Sequence, residues 1–173
     1  MPTWVIGCTH FDDLNIVQYR RAFSSLDEMN EGIAQSWERR VAPNDLVYIL
    51  GDFAVRRVKY WAERLPGEKV LIVGNHDNTA ALYTRGFADV QQQLLVRLPP
   101  KTPFDRPRQL FLCHYPFVSW PEKGNGCVHL HAHSHGQGLI PSRQGTGPGR
   151  VDMSVECWKE WPVDIDEAYN QGE

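Results

Sequence analysis

The apolar positions of this chain change period several times between its ends. Val5-Ile6 runs into a polar cluster, Gly7-Cys8-Thr9-His10, which predicts a short first strand followed by a functional loop. Leu26, Met29, Ile33 and Trp37 recur at helical spacing behind Ser25-Leu26-Asp27-Glu28, a capping-box pattern in which Glu28 reaches back to Ser25. They predict an amphipathic helix that ends near Arg40, and Pro43-Asn44-Asp45 reads as a turn. Leu46 to Leu50 is a continuous apolar run of strand length, the pattern of a strand covered on both faces, and Gly51-Asp52 follows at once. Val58, Trp61, Ala62 and Leu65 predict a second helix around Val55 to Leu65, stopped by Pro66-Gly67. Lys69 to Val73 repeats the buried-strand pattern and runs into Gly74-Asn75-His76-Asp77, with a short helix predicted over Thr79 to Thr84.

The second half changes character. Val90 to Leu98 and Gln109 to Cys113 read as strands joined by a Pro-rich connection, and Cys127 to His131 as another. Gly136 to Gly149 is rich in Gly and Pro and predicts an irregular loop. Arg150 to Glu156 reads as a last strand and Asp164 to Asn170 as a short terminal helix. The order is βαβαβα, then mostly β. It predicts an α/β fold of two packed sheets with helices outside, in a single domain over residues 1–173.

Composition narrows the picture. Hydrophobic residues make up 42% and charged residues 23%, which excludes wholesale disorder. The net charge of −3 excludes a strongly basic footprint, so nucleic acid would have to be held locally. No apolar run approaches the ~20 residues of a membrane span. The start, Met1 to Ile6, lacks the pattern of a signal peptide, and the expected location is the cytoplasm. The four cysteines, Cys8, Cys113, Cys127 and Cys157, form no Cys-x-x-Cys pair and no disulfide framework.

Candidate chemistry lies in the histidines. All seven (His10, His76, His114, His129, His131, His133 and His135) fall in polar clusters beside predicted strand ends. Imidazole is the commonest metal ligand. In an extended segment, residues i and i+2 share a side, so Cys8 with His10, and His129 through His135 at alternate positions, can each face one centre. Open α/β sheets bind ligands at their strand ends. With Asp52 and Asn75, the donors exceed what one tetrahedral ion needs. Two ions sharing a bridging carboxylate would use them all. Such a pair, about 3.5–4 Å apart, can turn a bound water into a hydroxide nucleophile. No Ser or Cys nucleophile is then required.

Cys8-Thr9-His10, Gly51-Asp52, Gly74-Asn75-His76-Asp77, His114 and His133-Ser134-His135 stand in the order of the motifs of the calcineurin-like metallophosphoesterases, which the chain resembles over nearly its whole length. Asn15-Ile16 and His114-Tyr115-Pro116 are similar to a small bacterial and phage branch. The resemblance implies a four-layer αββα sandwich of two mixed β-sheets flanked by helices. It implies a dinuclear phosphoesterase acting on small phosphomonoesters or phosphodiesters, nucleotide-type substrates among them. By resemblance, Cys8, His10, Asp52 and His135 hold the first ion. Asp52, Asn75, His114 and His133 hold the second. His76 is implied to face the phosphate, stabilising the transition state or protonating the leaving group, and Asp77 to orient His76.

The departures matter as much. Cys8 stands where the family has an aspartate, and reads either as a thiolate ligand or as a packing residue. A thiolate favours zinc or iron over manganese or magnesium. Asp12-Asp13 replace the Gly and His of the similar branch; they read as metal-reaching or as solvated. His131 is a candidate support for the ligands, and His129 is balanced between support and packing. Arg21 and Arg56 are candidate phosphate-binding residues, with their neighbours Arg20 and Arg57. Arg143 and Arg150 flank a loop that reads as a cleft rim or a surface insertion, and Trp120, Trp158 and Trp161 read as base-stacking or core. The expected partner is a small phosphoester, with no membrane. A nuclease acting on nucleic-acid ends and a binding or scaffold module are the alternative readings.

Overall fold

Three apolar runs become parallel strands. β1 (Thr3–Ile6) pairs with β2 (Leu46–Ile49), and β2 with β3 (Glu68–Ile72). Ile6 lies level with Ile49, and Ile49 with Leu71, so all three chains leave the sheet at one edge. The computed structural model describes residues 1–18, 23–78, 86–100, 102, 106–137, 149–159 and 161–173. β4 (Asp89–Gln91) adds to β3 in parallel and β9 (Val163–Asp164) to β1 in antiparallel, giving the five-stranded order β4-β3-β2-β1-β9. A second sheet has the order β5-β6-β7-β8, from Gln93–Leu98, Arg108–Cys113, Val128–His131 and Arg150–Asp152. Only the β5–β6 pair there is antiparallel.

Alternation sorts the side chains. Ile6, Val47, Ile49 and Leu71 pack with Met29, Ile33 and Trp37 of α1 (Leu26–Glu38) and with Trp61 and Ala62 of α2 (Val58–Arg64). The opposite face, with Val5 and Ile72, joins Leu110, Leu112, Val128 and Leu130 of the second sheet in one apolar cluster. Burial of these faces supplies the main drive to fold. The outer face of the second sheet is covered differently from the expected helical layer. Among the described residues, Phe117 and Trp120 of the segment before β7 lie there against Phe111 and Cys113. α3 (Ile165–Gly172) touches β1, β7, β8 and β9, placing Ile165, Ala168 and Tyr169 in the cluster the two sheets share.

Several local expectations are corrected. The run from Val90 to Leu98 is two strands: the chain breaks at Gln92 and passes from the first sheet to the second. The final strand stops at Asp152, giving way to a 3-10 turn over Val155–Trp158, and β9 is an additional strand. Ser25 Oγ does accept the Glu28 N–H at 3.2 Å, but the Glu28 carboxylate takes the Ser24 N–H at 2.8 Å rather than reaching Ser25. Residues 79–84 and most of 136–149 lie outside the described residues.

His129 and His131 sit on β7, whose register carries both away from the face the two sheets share. His129 is fully buried, with its ring near Phe111, Phe117 and Trp120. Its Nδ1–H donates to the Phe111 carbonyl at 3.0 Å, and Nε2 accepts the Phe117 N–H at 3.1 Å. Nε2 also lies 3.1 Å from the Tyr115 carbonyl, but burial outweighs both carbonyls, favours the neutral ring and pushes its pKa down to about 4. An unfolded histidine titrates near 6.5, so the unfolded chain binds the extra proton across the interval from about 6.5 to 4. The stabilisation is complete above about pH 6.5 and is lost as pH falls through that interval. For the metal-free protein, His129→Gln is expected to remove up to about 3 kcal/mol of acid-side slope in urea unfolding. A variant whose stability follows the wild-type pH profile would contradict this.

Candidate metal centre

The edge where the strands end is tied together before any ligand is placed. Gly7 N–H donates to Met153 O at 2.8 Å and Val155 N–H to Gly7 O at 3.1 Å, joining the end of β1 to the end of β8. The segment after β1 then runs beside the segment after β2. Cys8 N–H donates to Gly51 O at 3.0 Å, His10 N–H to Asp52 O at 2.8 Å and Phe11 N–H to Phe53 O at 2.9 Å. Ala132 N–H bonds His114 O at 2.9 Å, which joins the ends of β6 and β7.

The side chains converge by a route that alternation does not give. Cys8 (φ 52°), His10 (47°), Asp52 (52°), His133 (67°) and His135 (49°) all have left-handed backbone. Such residues cost on the order of 1–3 kcal/mol each and persist where the surroundings over-determine them. The surroundings here are the inter-strand bonds and Asp77. The Asp77 carboxylate accepts the N–H groups of Asp52 (2.8 Å), Phe53 (3.0 Å) and Gly74 (2.8 Å). These bonds make Asp77 a brace for the backbone that carries Asp52, beside the expected role of orienting the His76 ring. Gly74 must be glycine, because a Cβ there would lie 2.3 Å from Asp52 Oδ1 and 2.6 Å from its N.

All seven expected ligands gather at this edge. Asp52 Oδ2 lies 3.5 Å from His10 Nε2 and 3.4 Å from His114 Nε2. His114 Nε2 is 2.9 Å from Asn75 Oδ1 and 3.2 Å from His133 Nδ1. Donor atoms of Cys8, His10 and His135 fall within 4.8 Å of one another, as do those of Cys8, Asp52 and His114. Tetrahedral coordination at 2.0–2.2 Å separates donors by about 3.3–3.6 Å; the two Asp52–histidine separations match it, while His114 touches Asn75 and His133 at hydrogen-bond distance. Cys8 is fully buried and its Sγ accepts the His133 N–H at 3.1 Å, so the sulfur faces the cluster rather than the apolar core alone.

Charge is arranged accordingly. Burial raises the Asp52 pKa, but the His114 hydrogen bond and charge, the His76 N–H and the charge of His10 outweigh it and hold the carboxyl down at about 2. Burial alone would lower the His114 pKa, yet Asp52 raises it above the ordinary value. Burial and the nearby Asp52 push the Cys8 thiol up, so a thiolate there needs a cation beside it.

Two residues are more important than their sequence context suggested. Asp13 Oδ2 lies 3.0 Å from His10 Nδ1, and Glu156 Oε1 lies 2.9 Å from His135 Nδ1. Asp13, expected to reach a metal or to be solvated, is buried and bonds the ring of His10. Glu156 carried no signal, being 21 residues from the histidine it supports. Asp12 is also buried, engaged by Arg57, Trp61 and Asn30. His131 Nδ1 bonds the Ala132 carbonyl at 3.0 Å, not the ring of a ligand.

A cleft of about 240 Å³ opens over the cluster, lined by His10, Asp13, Asn15, Ile16, Asp52, Val55, Asn75, His76, His133 and His135. His76 is exposed in it, its ring 5.2 Å from that of His10. Arg56 is exposed and does not line the cleft, and Arg57 pairs with Asp12. Arg20, Arg21 and Arg143 lie outside the described residues. Trp120, Trp158 and Trp161 are absent from the cleft lining; Trp120 packs in the core and Arg40 covers Trp161 at 3.9 Å. Gly74→Ala is expected to lower metal loading and to cost about 1–3 kcal/mol in urea unfolding, since the new methyl collides with Asp52. Wild-type loading and stability in that variant would contradict the packing described.

Known proteins agree with this architecture. The chain is 28% identical to an uncharacterised protein of Methanocaldococcus jannaschii, over 94% of this chain and 86% of that one. It is 24% identical to the Gene 66 protein of Mycobacterium phage L5, over 97% and 92%, and 26% identical to that of phage D29, over 79% of each. The crystal structure of a protein of unknown function from Aquifex aeolicus shares the fold, with a TM-score of 0.68, 98% of each chain covered and 21% identity. The profile of the calcineurin-like phosphoesterases matches residues 1–161, and the chain belongs to that family.

Proposed function

We propose that the chain is a single-domain phosphoester hydrolase with a dinuclear metal centre, acting on small phosphomonoesters or phosphodiesters such as nucleotide-type substrates. The observation that carries this reading is the position of Asp52 Oδ2, within 3.5 Å of a ligand nitrogen on either side. Cys8, His10, Asp52 and His135 would hold one cation, and Asp52, Asn75, His114 and His133 the other. Bound there, two cations supply Lewis acidity, neutralising the ester's non-bridging oxygens and making water a nucleophile near neutral pH.

The chain's own groups do the rest. Asp52 holds the two halves together through Oδ2, while Oδ1 accepts the His76 N–H at 2.8 Å and fixes that residue against the cleft. The His76 ring would donate a proton to the departing ester oxygen, and its exposure beside His10 supports that role. Cys8 makes the first half softer than an all-carboxylate site and favours zinc or iron there, with manganese accepted less well.

Hydrolysis of p-nitrophenyl phosphate and bis-p-nitrophenyl phosphate, after loading with zinc, iron or manganese, tests the reading. His76→Ala is expected to lose about 10²–10⁴ in kcat with metal content retained. No turnover of either ester by fully loaded protein would favour a binding module instead. Elemental analysis tests Cys8 separately. Cys8→Ala is expected to lose metal from the first half, and Cys8→Asp to move preference from zinc toward manganese. Wild-type stoichiometry in Cys8→Ala would make Cys8 a packing residue.

A further inference from the structure

The two halves of the centre are supported by different chemistry. In the Cys8 half, each ligand ring is backed by an anion: His10 by Asp13 at 3.0 Å and His135 by Glu156 at 2.9 Å. In the other half, His114 Nδ1–H donates to a neutral acceptor, the Leu50 carbonyl, at 2.8 Å. Asn75 is a neutral ligand, and His133 presents Nδ1 at 3.2 Å from His114 Nε2. Asp77 lies below this half, but its oxygens are engaged by the amides of Asp52, Phe53 and Gly74.

This difference has two physical effects. A carboxylate that accepts Nδ1–H locks the ring with its lone pair on Nε2 and makes that nitrogen a stronger donor than a backbone carbonyl does. It also adds negative charge close to the cation. The Cys8 sulfur lies within 4.8 Å of donors of both halves, so what separates them is the backing of the rings: carboxylates on His10 and His135, and a backbone carbonyl on His114.

Resting on the dinuclear reading above, we propose that Asp13 and Glu156 are positioning residues that make the Cys8–His10–His135 half the tight cation site. The Asn75–His114–His133 half is then the exchangeable one. Activity would follow the free concentration of the second cation while the first stays bound.

Titration of metal-free protein with cobalt(II) under anaerobic conditions tests this without substrate. Near-ultraviolet sulfur-to-cobalt absorption reports cobalt bound by Cys8, the Asn75→Ala variant assigns it to a half, and visible absorption reports both ions. In wild type, the near-ultraviolet band should be complete at the first equivalent, while the visible band grows to the second. Asp13→Asn and Glu156→Gln should each weaken the first step by about 10–100-fold and leave the second unchanged. Asn75→Ala should abolish only the second. Asp12→Asn is the control, since Asp12 bonds Arg57, Trp61 and Asn30 rather than a ligand. It should leave both steps intact. Should an amide variant fail to fold, Asp13→Ala and Glu156→Ala carry the same expectation. A near-ultraviolet band that appears only with the second equivalent, or not at all, overturns the proposal. So do Asp13 and Glu156 variants that bind the first equivalent as wild type does. Hydrolysis is not read in this experiment, so a loaded protein that turns over no ester contradicts the proposed function without touching the order of binding.

Discussion

A carboxylate taken out of water must be matched by positive charge or by hydrogen-bond donors. Asp52 is 2% exposed at the end of a buried parallel strand, and much of the surrounding structure answers that need. One oxygen takes the His76 N–H, and the other faces two imidazole nitrogens. A second buried acid, Asp77, lies beneath it and satisfies three amides of the same loops. Burial and proximity to Asp52 raise the Asp77 pKa against the pull of those amides. The left-handed residues at the strand ends are tolerated because the inter-strand bonds and Asp77 fix them together.

Which parts of this were readable in advance follows from how each signal is encoded. The seven residues that gather at the sheet edge are legible because each lies where an apolar run breaks into Asp, Asn, Cys or His. Parallel strands of equal register bring such breaks to one edge. The inward faces of α1 and α2 were visible from helical spacing, and Met29, Ile33, Trp37, Val58, Trp61 and Ala62 are all buried. The geometry that aims the ligands was not readable. A period of two predicted shared sides for Cys8 and His10, whereas both residues have left-handed backbone. The same period extended His133 and His135 back to His129 and His131, which stay on the strand and bond backbone groups instead. Asp13 and Glu156 depend on tertiary contacts that no local pattern records. The switch of sheets at Gln92 was hidden because the residues on either side share one apolar character.

The departures from the family pattern gain meaning in this setting. Cys8 sits where an acid would add charge, and Asp13 and Glu156 place acids one bond further out, on the rings of His10 and His135. Acidic side chains are thereby kept around His10 and His135 although position 8 itself carries a thiol. The cleft above remains open and partly apolar on the side of Ile16 and Val55, with His76 exposed between the centre and solvent.

The most direct test of the account is anomalous diffraction from crystals grown with zinc. The account predicts two peaks, both within bonding distance of the Asp52 carboxylate, one shared with Cys8 and the other with Asn75. A single peak that does not touch Asp52, or none in protein supplied with excess zinc, would contradict it.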